Sequence, residues 1–260
     1  MDAYQVVKAA RDLNRLSTIE IIHALCSRFI EQHGDRQMKD DQAIVSGIGL
    51  MGDGEPLTII GIQKGLDTEE NIRRNFGSSG PAGYRKAQRM MKQAEKFNRP
   101  ILTLINTAGA DARPESERNG IGEAIASSLK TMSELTVPTL AIILGEGGSG
   151  GAIALALSDE VWMLENSIYA ILSPEGFASI LWKDSARAAE AAEIMKLTAP
   201  ELKEMEIVDR IIPETEDGKA YSKEELLTNL VPTIKKTLQR LAKQSVVERK
   251  NARYERFRKF

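Results

Sequence analysis

An α/β fold with parallel strands is what this 260-residue sequence predicts, on two observations and one supporting pattern. Two apolar strands, residues 100–105 and 138–143, begin 38 residues apart. Each runs into a glycine-bearing loop, residues 107–110 and 145–151, and each loop opens into a helix. An amphipathic helix over residues 84–97 precedes the first strand, burying Ala87, Met90, Met91, Ala94 and Phe97 at helical spacing.

Taken in order, the chain starts with a short helix, followed by Ser17-Thr-Ile-Glu20, a capping box that opens a second helix. Ile21, Ile22, Leu25 and Phe29 form its expected inner face, Cys26 its core neighbour, and Gly34 its stop, with His33 a structural residue at the helix end. Residues 1–34 are therefore assigned to N-terminal helices. Residues 43–51 and 56–64 flank Gly52-Asp53-Gly54 as a hairpin. Residues 35–222 form the expected core, with helices over 122–135 and 152–157, strands at 161–164 and 168–172, and helices over 186–196 and 199–205. From residue 223 to 260, Leu227, Leu230, Ile234, Leu238 and Leu241 mark one C-terminal helix, interrupted in pattern only by Pro232. Its basic end is expected to be solvated, since residues 235–260 carry ten Lys/Arg against two Glu.

Composition closes off several chemistries. One cysteine, Cys26, cannot form an internal disulfide, and with two histidines, His23 and His33, the chain has no Cys/His set for zinc. A net charge of −2 gives no overall pull toward nucleic acid or anionic membrane. The first fifteen residues lack the apolar core of a secretory signal. Residues 135–158 are nearly uncharged, but Pro138 and five glycines argue against a membrane helix. A reducing cytoplasm is the expected compartment.

The motif Gly145-Glu-Gly-Gly-Ser-Gly-Gly151 fits three patterns. A P-loop fails because Gly151-Ala152 stands where Lys-Ser/Thr must bind phosphate. A nucleophile elbow at Ser149 fails because no histidine follows residue 33. A dinucleotide GxGxxG, with Glu165 on a ribose, stays open but lies about 140 residues into the chain. The reading best suited to glycine loops without His or Cys is an oxyanion hole made of backbone N–H groups. Close helix–strand packing alone is the plain structural alternative.

Several longer motifs occur together: Asn71-Ile-Arg-Arg-Asn-Phe-Gly77, Gly83-Tyr-Arg-Lys86, the glycine motif, Ser173-Pro-Glu-Gly176 with Ala178-Ser-Ile-Leu-Trp-Lys183, and Lys250-Asn-Ala-Arg-Tyr-Glu-Arg256. From about residue 16 onward the chain resembles the carboxyltransferase α subunits of bacterial acetyl-CoA carboxylase, in their short form. The resemblance implies a crotonase-like superhelix of repeated ββα units with flanking helices. It implies transfer of a carboxyl group from biotin, held on a separate carrier protein, to acetyl-CoA, giving malonyl-CoA for fatty acid biosynthesis. Implied partners are a zinc-ribbon-bearing β subunit, in an α2β2 assembly, together with the biotin carboxyl carrier protein and biotin carboxylase. No metal is expected in this chain. The implied oxyanion hole uses the N–H groups of Gly151 and Ala110, framed by Gly150 and Gly109. Gly147, Gly148, Arg73, Arg74, Arg85 and Lys86 are the implied substrate or partner contacts.

One loop departs from the family pattern. Pro-Gly-Ala-Tyr-Pro-Gly is replaced by Ala108-Gly-Ala-Asp111-Ala-Arg113, and Pro-Glu-Gly-Tyr by Pro81-Ala-Gly-Tyr84. An Asp111 carboxylate pointing inward would oppose charge building on an oxyanion. A second reading is therefore a weakened regulatory paralogue that still binds the β subunit. A third is another crotonase-type acyl-CoA enzyme using Glu117 or Glu123 for acid–base work.

Overall fold

A computed structural model describes residues 1–259. The chain opens with α1 (Ala3–Ala10) and α2 (Thr18–Leu25), the latter capped by Ser17 and Glu20 as expected. β1 (Cys26–Glu31), β2 (Ile44–Met51) and β3 (Pro56–Ile62) follow. Next come α3 (Thr68–Arg73), a 3-10 turn at Asn75–Gly77, α4 (Pro81–Lys96), β4 (Ile101–Thr107), α5 (Pro114–Arg118) and α6 (Ile121–Glu134). β5 (Thr139–Gly148) leads directly into α7 (Ser149–Ala156), then β6 (Glu160–Leu164) and β7 (Ile168–Ala170). α8 (Pro174–Trp182), α9 (Ala188–Met195), α10 (Ala199–Glu204) and β8 (Arg210–Ile212) precede α11 (Lys223–Lys243) and α12 (Val246–Phe257).

The main sheet has the order β1-β2-β3-β4-β5-β6-β8, with β7 added beside the end of β5. β1, β2 and β3 pair antiparallel, and β3 through β8 pair parallel. β4 and β5 are apolar along most of their length because both faces are covered. Alternate residues point to opposite layers. Ile101, Ile105, Ala141 and Ile143 meet Met90, Met91, Ala94 and Leu155, whereas Leu102, Leu104, Leu140 and Ile142 meet Ile21, Ile22, Leu230 and Ile234.

Several local expectations are corrected. The second helix does not run to Gly34; it ends at Leu25, and Cys26–Glu31 pairs with β2. The reason is a fit between strands. Side chains of β1 lie over glycines of β2, where a Cβ on Gly47 would come within 2.5 Å of the Phe29 ring. Cys26 is half-buried rather than core, and burial pushes its thiol up to about 11. His33 follows this strand, exposed, with Nδ1 at 3.2 Å from Asp40. Phe97 caps α4 with its ring 57% exposed, because the helix stops before it can face the sheet. The segment at residues 174–182, quoted above only as a motif, is a helix capped by Ser173.

The last correction concerns the C-terminus, which is two helices rather than one. Ser245 and Glu248 form a new capping box after α11 has ended. The basic end is solvated only in part: Lys236, Arg240, Lys243, Lys250, Arg258 and Lys259 are exposed, but Arg249 and Arg253 are not. Arg253 is buried, pairs with Asp159 at 2.6 Å, and donates to the Met132 and Leu135 carbonyls at 2.7 and 3.1 Å. Arg249, also buried, donates to the Leu241 carbonyl at 2.9 Å. These guanidinium groups add donors to carbonyls at the ends of α6 and α11, where intrahelical N–H partners run out. Removing one member of a buried ion pair leaves the other uncompensated. Arg253→Met should therefore cost about 3–5 kcal/mol of unfolding free energy, read by chemical denaturation; a loss below about 1 kcal/mol would show that the tail is only loosely attached.

Candidate active site

The glycine motif divides into two parts. Residues 145–148 are not a loop, as expected, but the last stretch of β5, and the helix begins at Ser149 instead of Ala152. The strand continues because it is paired on both sides, with Thr107 opposite Gly147 and with Ile168 to Ala170 opposite Glu146 to Gly148. Gly145 is required where the strand passes α1: a Cβ there would lie 2.7 Å from both the Ala10 carbonyl and Asn106 Oδ1. Gly147 is buried against Tyr169, and Gly148 is half-buried beside Ala108.

α7 starts with Gly148 as its cap, which has no side chain to accept a hydrogen bond. The N–H groups of Ser149, Gly150 and Gly151 therefore receive no side-chain cap, and first-turn N–H groups have no intrahelical acceptor. On the neighbouring strand the chain turns after Thr107, whose hydroxyl accepts the Gly109 N–H at 3.0 Å and donates to the Gly109 carbonyl at 2.8 Å. Asp111 N–H donates to the Ser79 carbonyl at 2.9 Å. Between them, the Ala110 N–H has no acceptor among the described residues. A Cβ on Gly151 would fall 2.6 Å from the Ala110 nitrogen and 2.8 Å from the Gly109 carbonyl carbon. All four expected catalytic positions, Gly109, Ala110, Gly150 and Gly151, thus sit together at the ends of β4 and β5.

The expected cationic contacts do not join them as free groups. Lys86 is fully buried, with Nζ 2.6 Å from Asp40 and 2.8 Å from the Asp41 carbonyl. Burial acts against the Asp40 charge, but the Lys86 ammonium outweighs it and holds that carboxyl at about 2. Arg85 pairs with Asp35 at 3.1 Å and donates to the Asn119 carbonyl at 3.2 Å. Arg74 is taken by Glu70 and by the Gln42 carbonyl, both at 2.8 Å. These three anchor the 35–42 segment and α3; Lys86 is enclosed, while Arg85 keeps an edge on the cavity that Arg73 and Asp111 also line. Arg73 alone of the four is largely exposed, 3.6 Å from Glu70.

Two further elements went unread in the sequence. Glu146, buried within the glycine motif, takes Arg11 at 2.9 Å and Lys64 at 2.6 Å, tying β5 to α1 and to the end of β3. Arg11 also grips Glu175 of α8 at 2.8 Å, and that hydrogen bond holds the Glu175 carboxyl at about 2. The second element is Tyr84. Its ring is fully buried, its hydroxyl has no partner among the described residues, and it lies 2.8 Å from where a Cβ of Gly151 would be. The sequence signal was present in Gly83-Tyr-Arg-Lys86, where attention went to the cations. Glu165 is bound to Glu214 N–H and Thr215 at 2.8–3.2 Å, so it is not available to a ribose. Glu117 and Glu123 are exposed on helix surfaces.

Asp111 resolves the question raised by the altered loop. Its carboxylate receives Arg113 Nε and Nη2 at 2.8–3.0 Å and Ser116 Oγ at 2.6 Å. Burial would raise this carboxyl, yet the hydrogen bonds from Arg113 and Ser116 prevail and hold it at about 2. The charge is spent on its own loop. Asp111→Asn should accordingly change turnover less than about threefold while lowering stability by roughly 1 kcal/mol, because Arg113 is mostly exposed and screened. A clear gain in turnover would mean that the carboxylate faces the Ala110 N–H after all.

Comparison with known proteins agrees with this geometry. Residues 1–260 match the family described as acetyl co-enzyme A carboxylase carboxyltransferase-like. The acetyl-coenzyme A carboxylase carboxyl transferase subunit alpha of Streptococcus gordonii is 55% identical over 256 residues, covering 98% of each chain. That of Streptococcus pneumoniae strain Hungary19A-6 is 53% identical over 260 residues, covering all of both. Among solved structures, transcarboxylase 12S with methylmalonyl-coenzyme A superimposes with a TM-score of 0.72 at 17% identity, over 90% of this chain and 43% of that one. A Pseudomonas malonate decarboxylase hetero-tetramer in complex with coenzyme A gives a TM-score of 0.66 at 14% identity, over 81% and 84%. These likenesses show the crotonase-like fold. With the full-length relatives, they establish that the chain belongs to the acetyl co-enzyme A carboxylase carboxyltransferase-like family, as a carboxyltransferase of the α-subunit type.

Proposed function

We propose that this chain supplies the biotin-facing half of a site that moves a carboxyl group to acetyl-CoA, forming malonyl-CoA. The observation that carries the reading is the close approach of the turn after β4 to the first turn of α7: the Ala110 nitrogen, whose N–H has no acceptor among the described residues, lies 2.6 Å from the Cβ position of Gly151, and α7 has no side-chain cap. The atoms nearest the Cβ positions of Gly109, Gly150 and Gly151 are Ser149 Cβ, the Ile125 side chain, and the 109–110 backbone with the Tyr84 hydroxyl. Such a place suits an uncharged acceptor oxygen that gains negative charge as the reaction proceeds. Biotin, on its carrier protein, supplies a ureido ring that bears the carboxyl group in transit and has such an oxygen. The Ala110 and Gly151 N–H groups hold that oxygen, with Gly150 and Gly109 shaping the turns. Each donor of this kind is worth about 10²–10³ in rate. The positive end of α7 adds to the same effect.

The acetyl-CoA half is assigned to a β subunit that brings its own zinc ribbon, in an α2β2 assembly served by biotin carboxylase and the biotin carboxyl carrier protein. α8 supports this partnership. Phe177, Ile180 and Leu181 fall on one helical stripe, and Ile180 and Leu181 are 68% and 57% exposed. Ile171, 78% exposed, follows β7, whose Ala170 is paired with Gly148. An apolar surface therefore starts beside the candidate hole, where a covering subunit would also exclude water from it.

The decisive experiment is reconstitution with the β subunit, followed by malonyl-CoA decarboxylation in the presence of free biotin. Gly151→Ala places a Cβ against backbone atoms of residues 109 and 110, forcing the donors apart. It should lower kcat by at least about 100-fold while the complex still forms. Turnover within about threefold of the parent would refute the donor assignment. The double variant Ile180→Asp, Leu181→Asp should leave the isolated chain folded and weaken association by at least about tenfold. Unchanged affinity would remove α8 from the interface.

A further inference from the structure

Tyr84 is the one buried polar side chain near the hole that the proposed function leaves without a task. It stands in the first turn of α4, after Pro81, and its ring is fixed among Ile121, Ala124 and Ala154, from α6 and α7. The hydroxyl has no hydrogen-bond partner. It converges on the point that a Cβ of Gly151 would occupy, 2.8 Å away, and the Ala110 nitrogen is 2.6 Å from that same point. Burial, helped by the negative charge of Asp41, pushes its pKa well above the ordinary tyrosine value. The phenol keeps its proton and remains a donor.

A buried donor without an acceptor destabilises the fold, and phenylalanine would fill the same space without that cost. The Ala110 N–H, also without an acceptor among the described residues, lies beside the same point. We infer that the Tyr84 hydroxyl is a third donor of the hole, reserved for the acceptor oxygen of the bound reactant. The inference rests on the proposed function, since it assigns Tyr84 to the same oxygen. The 109–110 backbone approaches the same Cβ position as the hydroxyl, and it belongs to a turn with Ala108 exposed and Gly109 and Ala110 half-exposed. For the hydroxyl to take part, this turn must give way as a ligand oxygen seats on the Ala110 N–H. The class of ligand is set by the donors: a carbonyl or ureido oxygen that becomes more negative in the reaction.

The test is Tyr84→Phe in the complex with the β subunit. Because the orphaned hydroxyl is removed, Tm should stay the same or rise. Over the same change kcat should fall about tenfold or more, with KM for malonyl-CoA within about twofold. Binding of free biotin to the complex, measured by calorimetry without turnover, should weaken by about fivefold or more. Retained kcat and retained biotin affinity overturn the inference, as does a loss of activity accompanied by a fall in Tm. Gly151→Ala run in parallel separates the two ideas. If it is inactive while Tyr84→Phe is active, the hole stands without Tyr84; if both are active, the hole itself is refuted.

Discussion

The site depends on one close approach. The turn after β4 and the first turn of α7 meet so tightly that only a hydrogen fits where residue 151 would carry a Cβ, with Ala110 nitrogen 2.6 Å from that point. Everything else in the site follows from this. The parallel pairing of β4 with β5 delivers both turns to the same edge, with Thr107 opposite Gly147. The glycine cap leaves α7 without a side-chain acceptor, and the Thr107 hydroxyl holds the other turn through both the N–H and the carbonyl of Gly109. Preorganised backbone dipoles of this sort need no reorganisation when charge appears, which is the source of their effect.

Around this contact the protein places its charges in pairs that hold elements rather than substrates. Glu146 lies within the glycine motif itself and is clamped between Arg11 and Lys64, so the strand end cannot drift from α1 or from β3. Arg11 extends the link to Glu175, joining α8 to the same network. At the far side, Arg253 and Asp159 pin the last helix to the end of α6. A cation buried in such a pair is not available to a phosphate. That is why Lys86 and Arg85, adjacent to the site in sequence, are anchors of the 35–41 segment instead.

Much of this was legible from the residues, and the failures share a cause. Strands β4 and β5, the turns that end them and helix α7 follow from apolar runs broken by glycine, a local signal. The four positions proposed for the hole came with the family resemblance, and the pairing of β4 with β5 brings them to one edge. β1 was not legible, because Cys26-Ser-Arg-Phe-Ile-Glu31 becomes a strand only through its fit over Gly47 and Gly49, distant in sequence. The buried fate of Arg249 and Arg253 was also hidden, since it depends on carbonyls about 5 to 120 residues away. Composition could count the charges but not their partners. Tyr84 escaped notice because its importance lies in having no partner, which only the packed structure reveals.

Catalysis through the backbone also changes how the divergent loop is to be weighed. In a site built from side chains, replacing Pro-Gly-Ala-Tyr-Pro-Gly by Ala108-Gly-Ala-Asp-Ala-Arg113 would alter the reacting groups themselves. In the proposed site the atom contributed by this loop is the Ala110 N–H, which any residue but proline possesses. What the loop must preserve is the turn at Gly109 and an outward path for the side chains that follow. Asp111 meets that condition by turning to Arg113 and Ser116, and Arg113 is itself part of the change that introduced the acid. The new carboxylate and the new guanidinium form a closed pair within three residues, so the loop carries its own charge compensation. Divergence of this kind leaves the donors in place, and the second reading of a weakened paralogue loses the physical ground on which it stood.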